Sequence, residues 1–372
     1  MRVCSFWIEA TVASVILGSL VLGGCADSDD APRFAAGTEP ELVYAKSLHA
    51  TAQGMRTAWE APDGIGAFTG ISYDSVGCKN CHEWGSYIPR PDRDTCAACH
   101  LDGKEKDNET CYSCHKRQYF TNKPGELDEP DVHRAANMAC VDCHKDGDLH
   151  GDPEVYASML EEGAIDASCE SCHAEISPTR AHTVHGERLH CSACHTRTVF
   201  SCYNCHLDTM VGGGGSIAAA KMTDWVFLMN DQAGRVKAAN FQSVAYEAGG
   251  AGANSFVVFA PYEAHTVMPV GRPCTACHGT AMNDALEELV NDDKITVTEW
   301  DAATNSIKHV TGVVPVIDGK LEFQHLAYDD SKPADEKWSP LTTTTWKTQY
   351  HYGKPLTPWQ IQKMKQVQTV SD

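Results

Sequence analysis

The sequence predicts a mainly α-helical fold with much irregular structure and a small β-containing C-terminal region. Sixteen of the 18 cysteines in this 372-residue chain fall into eight copies of the pattern Cys-x-x-Cys-His, and seven of the eight lie between Cys78 and His206. That is too little chain to build a separate apolar core around each copy, so whatever the motifs hold must itself be the core, carried on short helices and wrapped by loops. The longer runs of β-branched and aromatic residues all come later in the chain.

The first element is a leader. Met1 and Arg2 open it, and Thr11 to Gly24 is an unbroken run of small and apolar residues, too short to span a bilayer and fitting the apolar region of a signal peptide. Leu22-Gly23-Gly24-Cys25 is similar to a bacterial lipobox, so residues 1–24 are read as a lipoprotein signal and Cys25 as a lipid anchor; Cys4 leaves with the signal. Residues 25–44, rich in Asp, Ala, Pro and Gly, form a flexible tether. The expected location is the periplasmic side of the cell envelope, lipid-anchored, with the outer membrane or cell surface as destinations.

A seven-motif body, residues 45–210, follows. Its motifs are Cys78, Cys81 and His82; Cys96, Cys99 and His100; Cys111, Cys114 and His115; Cys140, Cys143 and His144; Cys169, Cys172 and His173; Cys191, Cys194 and His195; and Cys202, Cys205 and His206. The eighth, Cys274, Cys277 and His278, stands apart. Disulfides need no His after the second Cys, and zinc ribbons do not explain eight identical repeats. Covalent haem does: two cysteines three apart reach the two vinyl groups as thioethers, and the next residue's imidazole is then held under the iron. The motifs predict eight covalently attached haem c groups, with His82, His100, His115, His144, His173, His195, His206 and His278 as proximal ligands.

Ten further histidines are the supply for the opposite face of each iron. His133 and His150 flank the fourth motif in polar loops. His182 and His185, three apart, share a face of a helix and can serve two haems. His190 abuts its motif and is read as a non-ligand. His49 and His265 clip flanking segments onto the cluster. His351 joins the candidate set, while His309 and His325 stay open with it. Lys145, directly after His144, is either a haem ligand made neutral by burial or a partner of a propionate; Lys116 has the same two readings.

At Gly77-Cys-Lys-Asn-Cys-His82, over Thr183 to His206, and over Ala264 to His278, the chain resembles the octahaem tetrathionate reductase family, including the long gap between Cys202 and Cys274. The resemblance implies a buried haem cluster in a mostly helical and irregular fold, a distant relation to hydroxylamine oxidoreductase and pentahaem nitrite reductase, and one lysine-ligated haem as catalytic site. Lys145 is the candidate for that lysine. Two departures stand out. No Cys-x-x-Cys-Lys occurs, and haem attachment with acylation leaves no free thiol for a mixed disulfide with a thionate.

Gly212 to Gly215 breaks the chain, and residues 211–372 form a C-terminal region around the eighth motif. Within it, Asp224 to Met229, Ser255 to Ala260, Ile295 to Trp300, Val310 to Ile317 and Leu321 to Leu326 read as strands. Thr357 followed by Pro358 opens a terminal helix.

The functional expectation is an octahaem cytochrome that takes electrons from quinol-linked or periplasmic electron-transfer proteins and reduces a small sulfur or nitrogen oxyanion (tetrathionate, nitrite or hydroxylamine). The alternative is a non-catalytic conduit with every haem bis-ligated. With 50 acidic against 30 basic side chains the net charge is −20, which argues against nucleic acid as a partner.

Overall fold

The computed structural model describes residues 43–51, 53–75, 108–112, 115–122, 127, 129–152, 154–203, 205–206, 220–247, 253–329, 331–333 and 336–367. Residues 1–24 and Cys25, the tether as far as Leu42, Cys78, Cys81, His82, Cys96, Cys99, His100, Cys114 and the Gly212 to Gly215 break lie outside the described residues.

Up to residue 195 the described residues form short helices joined by turns and irregular stretches. Gln53–Glu60 and Ile65–Thr69 pack together; Asn108–Tyr112, Lys116–Asn122, Val132–Ala135, Cys140–Cys143, Asp146–His150, Arg180–His185 and Cys191–His195 follow. Most are one or two turns long, below the length at which a helix persists unaided, so each depends on what it packs against. Between Asn108 and His190 the described residues bury a single apolar side chain, Tyr112.

The expectation of a mainly α-helical fold with only a small β-containing region is overturned from residue 201 onward, where strands form several sheets and dominate the chain. In chain order they are β1 (Ser201–Tyr203), β2 (Cys205–His206), β3 (Ala220–Met222), β4 (Trp225–Asp231), β5 (Val236–Glu247), β6 (Ala253–Pro261), β7 (Ile295–Asp301), β8 (Ser306–His309), β9 (Gly312–Pro315), β10 (Leu321–Phe323), β11 (His325–Tyr328), β12 (Trp338–Leu341), β13 (Thr343–Tyr350) and β14 (Gly353–Lys354). The largest sheet runs β13-β6-β5-β4-β14. Long β5 gives one edge to β6 and shares the other between β4 at its start and β2 near its end. β9 pairs in parallel with β4. Smaller sheets join β1 to β3, β10 to β7 to β8, and β11 to β12.

Five successive residues of β4, Trp225 to Met229, are all buried, the mark of a strand covered on both faces. Phe227, Phe241 and Phe259 from β4, β5 and β6 meet with ring centres 5.1 to 5.8 Å apart, and Phe323 closes the cluster. The helix Asp284–Asp292 lays Ala285, Leu286 and Leu289 onto this core, with Asn283 capping its start. Trp59, Ile65 and Tyr73 from the N-terminal helices form a second cluster with Phe256 of β6, and Gln349 of β13 donates to the carbonyl of Ala58. The terminal helix Pro358–Lys365 starts from a capping box of Thr357 and Gln360 and buries Ile361 and Met364.

Candidate cofactor sites

Four of the described motifs each close one tight turn. The His115 amide donates to the Cys111 carbonyl, His144 to Cys140, His173 to Cys169 and His278 to Cys274, at 2.8 to 3.0 Å. The sixth motif is itself a helical turn, Cys191–His195, capped by the His190 ring, which accepts from the Ser192 amide. The seventh is placed by its backbone alone: Cys202 lies on β1, and Cys205 and His206 on β2 pair with Val244 and Ala245 of β5.

Five motif histidines each face a histidine from elsewhere in the chain. Ring centres are 6.1 Å apart for His115 and His49, 6.2 Å for His144 and His265, 6.2 Å for His173 and His133, 6.3 Å for His195 and His182, and 6.1 Å for His278 and His185. Those separations are wider than van der Waals stacking. A metal–imidazole bond of about 2 Å on each side, with the nitrogen about 1.1 Å from the centre of a five-membered ring, puts two rings sharing one metal about 6.2 Å apart. The donor set therefore fits an iron between each pair. Among the described residues no three His, Cys, Asp or Glu side chains converge on one metal position.

The rings are also oriented. Nδ1 of His144 hydrogen-bonds a carboxylate oxygen of Asp148 at 3.0 Å, and that of His133 a carboxylate oxygen of Asp131 at 3.2 Å. Nδ1 of His182, His185, His195 and His278 meets the main-chain carbonyls of Ser177, Ala181, Met268 and Lys363 at 2.8 to 3.2 Å. His49 is held by the backbone of Asp148. Committing Nδ1 to an acceptor leaves Nε2 as the ligating atom, and it fixes the ring plane. Burial pushes His49 down to about 4, with repulsion from His115 adding to it, and burial likewise lowers His265, His115 and His185. Low values keep these rings neutral, the form that binds a metal.

Chain crossings bring distant partners together. Gly151, with φ +91°, ends the helix after the fourth motif, and a Cβ there would sit 2.6 Å from the Cβ of Ser47. Only glycine lets the segment bearing His49 cross so close. Neighbouring motifs touch as well. The thiols of Cys111 and Cys140 hydrogen-bond, as do those of Cys169 and Cys191, and the Asn108 side chain accepts from the Cys140 amide at 2.9 Å. His182 and His185 project from one helix toward the rings of the sixth and eighth motifs.

The other candidates lie elsewhere. His150 bonds Asp146 and meets Tyr44 edge-on; His351 packs on Tyr352. Neither faces a described motif histidine. His309 lies against Trp225, and its Nδ1 donates to the Val310 carbonyl at 2.9 Å. Exposed Lys145 directs its ammonium to the Val141 carbonyl at 3.1 Å. Sequence reasoning missed Asp131 and Asp148. The signals were present: an Asp at a helix N-cap two residues before His133, and an Asp one helical turn after His144.

Comparison with known proteins gives one partial likeness. Multiheme cytochrome MtrA of Shewanella baltica (strain OS185) is 31% identical over 115 residues, 26% of this chain and 31% of that protein. The chain thus spans less than a third of that relative's length. No family model matches it, and no solved structure does.

Proposed function

We propose that this chain is a multihaem c-type cytochrome that passes electrons along a row of haems, each anchored by two thioethers and held between two histidines. The observation that carries the reading is the set of five motif histidines facing five non-motif histidines at 6.1 to 6.3 Å. Its partial likeness to a protein named as a multiheme cytochrome supports the same class. When bound, haem supplies a reversible one-electron iron couple.

The chain's own residues supply the rest. Motif cysteines would hold haem through two thioethers each, and the facing imidazoles would hold the iron and exclude water from it. Contacts between Cys111 and Cys140 and between Cys169 and Cys191, with the helix shared by His182 and His185, place successive motifs next to one another. In this reading all eight motifs are loaded and Cys25 tethers the protein outside the cytoplasm.

A narrower reading adds reduction of a small sulfur or nitrogen oxyanion at a lysine-ligated haem. Since His115, His144, His173, His195 and His278 each have a histidine opposite, such a haem belongs to His82, His100 or His206, and Lys145 would have to reach it. Intact mass of the mature protein tests the main reading: eight haem additions and low-spin spectra are expected, and a chain without covalent haem overturns it. For the narrower one, Lys145→Ala is expected to change the ligation of one haem and abolish reduction of tetrathionate, nitrite or hydroxylamine; an unchanged spectrum and rate would refute it.

A further inference from the structure

We propose that Asp148 is a positioning residue shared by two haem sites: its carboxylate lowers the reduction potential of the haem held by His144, while its main chain holds His49, the ligand of the neighbouring haem. The inference rests on the haem reading above and goes beyond it, because it sets one site apart from the others electronically.

The Asp148 side chain is 2% exposed. One carboxylate oxygen lies 3.0 Å from His144 Nδ1, and the other accepts the Asp166 amide at 2.6 Å. The same residue's backbone holds the His49 ring. Two ligands of two different irons are thus keyed to one residue.

The chemistry differs from that of two other motif histidines. His195 and His278 are anchored by the neutral carbonyls of Met268 and Lys363. A carboxylate that accepts from Nδ1–H in a water-poor site draws the proton toward itself and gives the imidazole anionic character. The ring becomes a stronger donor, the ferric state is favoured, and the potential falls. Asp131 offers His133 a weaker version, since the oxygen it uses already accepts the amides of His133 and Arg134.

Asp148→Asn in the haem-loaded protein keeps an acceptor in place and removes the charge. Spectroelectrochemical titration is expected to show one haem moving to higher potential with haem content unchanged, and Asp148→Glu, which keeps the carboxylate, returning toward the parent curve. A parent-like titration of the Asn variant overturns the proposal. Because Asp148 also lies in the turn after His144, a measurement without any change at this position keeps the test decisive. His265→Ala identifies the His144 haem and His185→Ala the His278 haem by the signal each removes from the titrated spectrum. In the parent protein the His144 haem must titrate at the lower potential of the two; the reverse order overturns the proposal. Absence of covalent haem from the parent would instead sink the cytochrome reading itself, so the two failures are distinguishable.

Discussion

At the scale of single residues, His182 and His185 give the sharpest separation of roles. They are three apart on one helix, yet their rings face His195 and His278 from motifs more than eighty residues apart. His182→Ala is therefore expected to convert only the Cys191–His195 haem to a high-spin form, His185→Ala only the Cys274–His278 haem, and the double variant both. Magnetic circular dichroism of the three proteins checks this, and a single haem responding to both changes would refute it. The shared face was legible from the three-residue spacing; which irons it serves was not, because that depends on where residues 264–278 fold back. His325 shows the opposite case. Its ring is buried against Tyr203 and Phe323 with both nitrogens unpaired, and burial pushes it down to about 4. The unfolded chain binds that proton near 6.5, so stability is lost as pH falls from about 6.5 to about 4 and levels off below, by at most roughly 3 kcal/mol. His325→Leu is expected to flatten that slope and to leave stability at pH 7 equal or higher. Denaturant midpoints at pH 7 and pH 5 are the check; an unchanged slope in the variant would count against the account.

At the scale of elements, the segment from His265 to Arg272 organises three sites at once. Val267 donates to Asp131 at 2.6 Å and accepts from Val132 at 3.0 Å, joining the strand-like segment that bears His265 to the helix that bears His133. The Met268 carbonyl meets His195 Nδ1, and the Met268 amide donates to the His195 carbonyl. Arg272 then reaches back to the carbonyls of Thr196 and Arg197, just past the sixth motif. Arg272→Ala leaves those carbonyls without this donor, at a cost of about 2–3 kcal/mol. Chemical denaturation of the haem-loaded protein should show that loss, with Arg272→Lys intermediate; a variant as stable as the parent would show the contacts to be incidental. The family resemblance over Ala264 to His278 marks out this segment, but its partners are made by long-range hydrogen bonds that no local pattern encodes. Strands were legible where β-branched and aromatic residues cluster, as in β4 and β7. β5 was not: Lys237-Ala-Ala-Asn carries no strand preference, and its conformation follows from lying between β4 and β6. That tertiary override is why the α-dominated expectation failed.

At the scale of the whole molecule, two regions are held together by different means. The C-terminal sheets have an apolar core of their own, with Trp225, Phe227, Met229, Phe259, Leu286 and Ile295 at most 1% exposed. Among the described residues, the stretch from Asn108 to His190 buries only Tyr112 of its apolar side chains, and Val155, Met159, Ile176 and Val184 are more than half exposed. Short helices without an apolar face to bury do not persist, so in the cytochrome reading proposed above this stretch would draw its order from the haems its cysteines and histidines would grip. Haem-free chain, made without the attachment machinery, is then expected to be cut by protease first between Asn108 and His190, leaving a protected fragment that contains β4 to β13. The haem-loaded protein should resist at both places, because covalent haem supplies the apolar surface that the sequence withholds there. Mass analysis of the fragments decides the matter. If the haem-free chain were cut first within the sheets, or resisted throughout residues 108–190, the haems could not be the core of the motif-bearing region, and its short helices would need another source of stability.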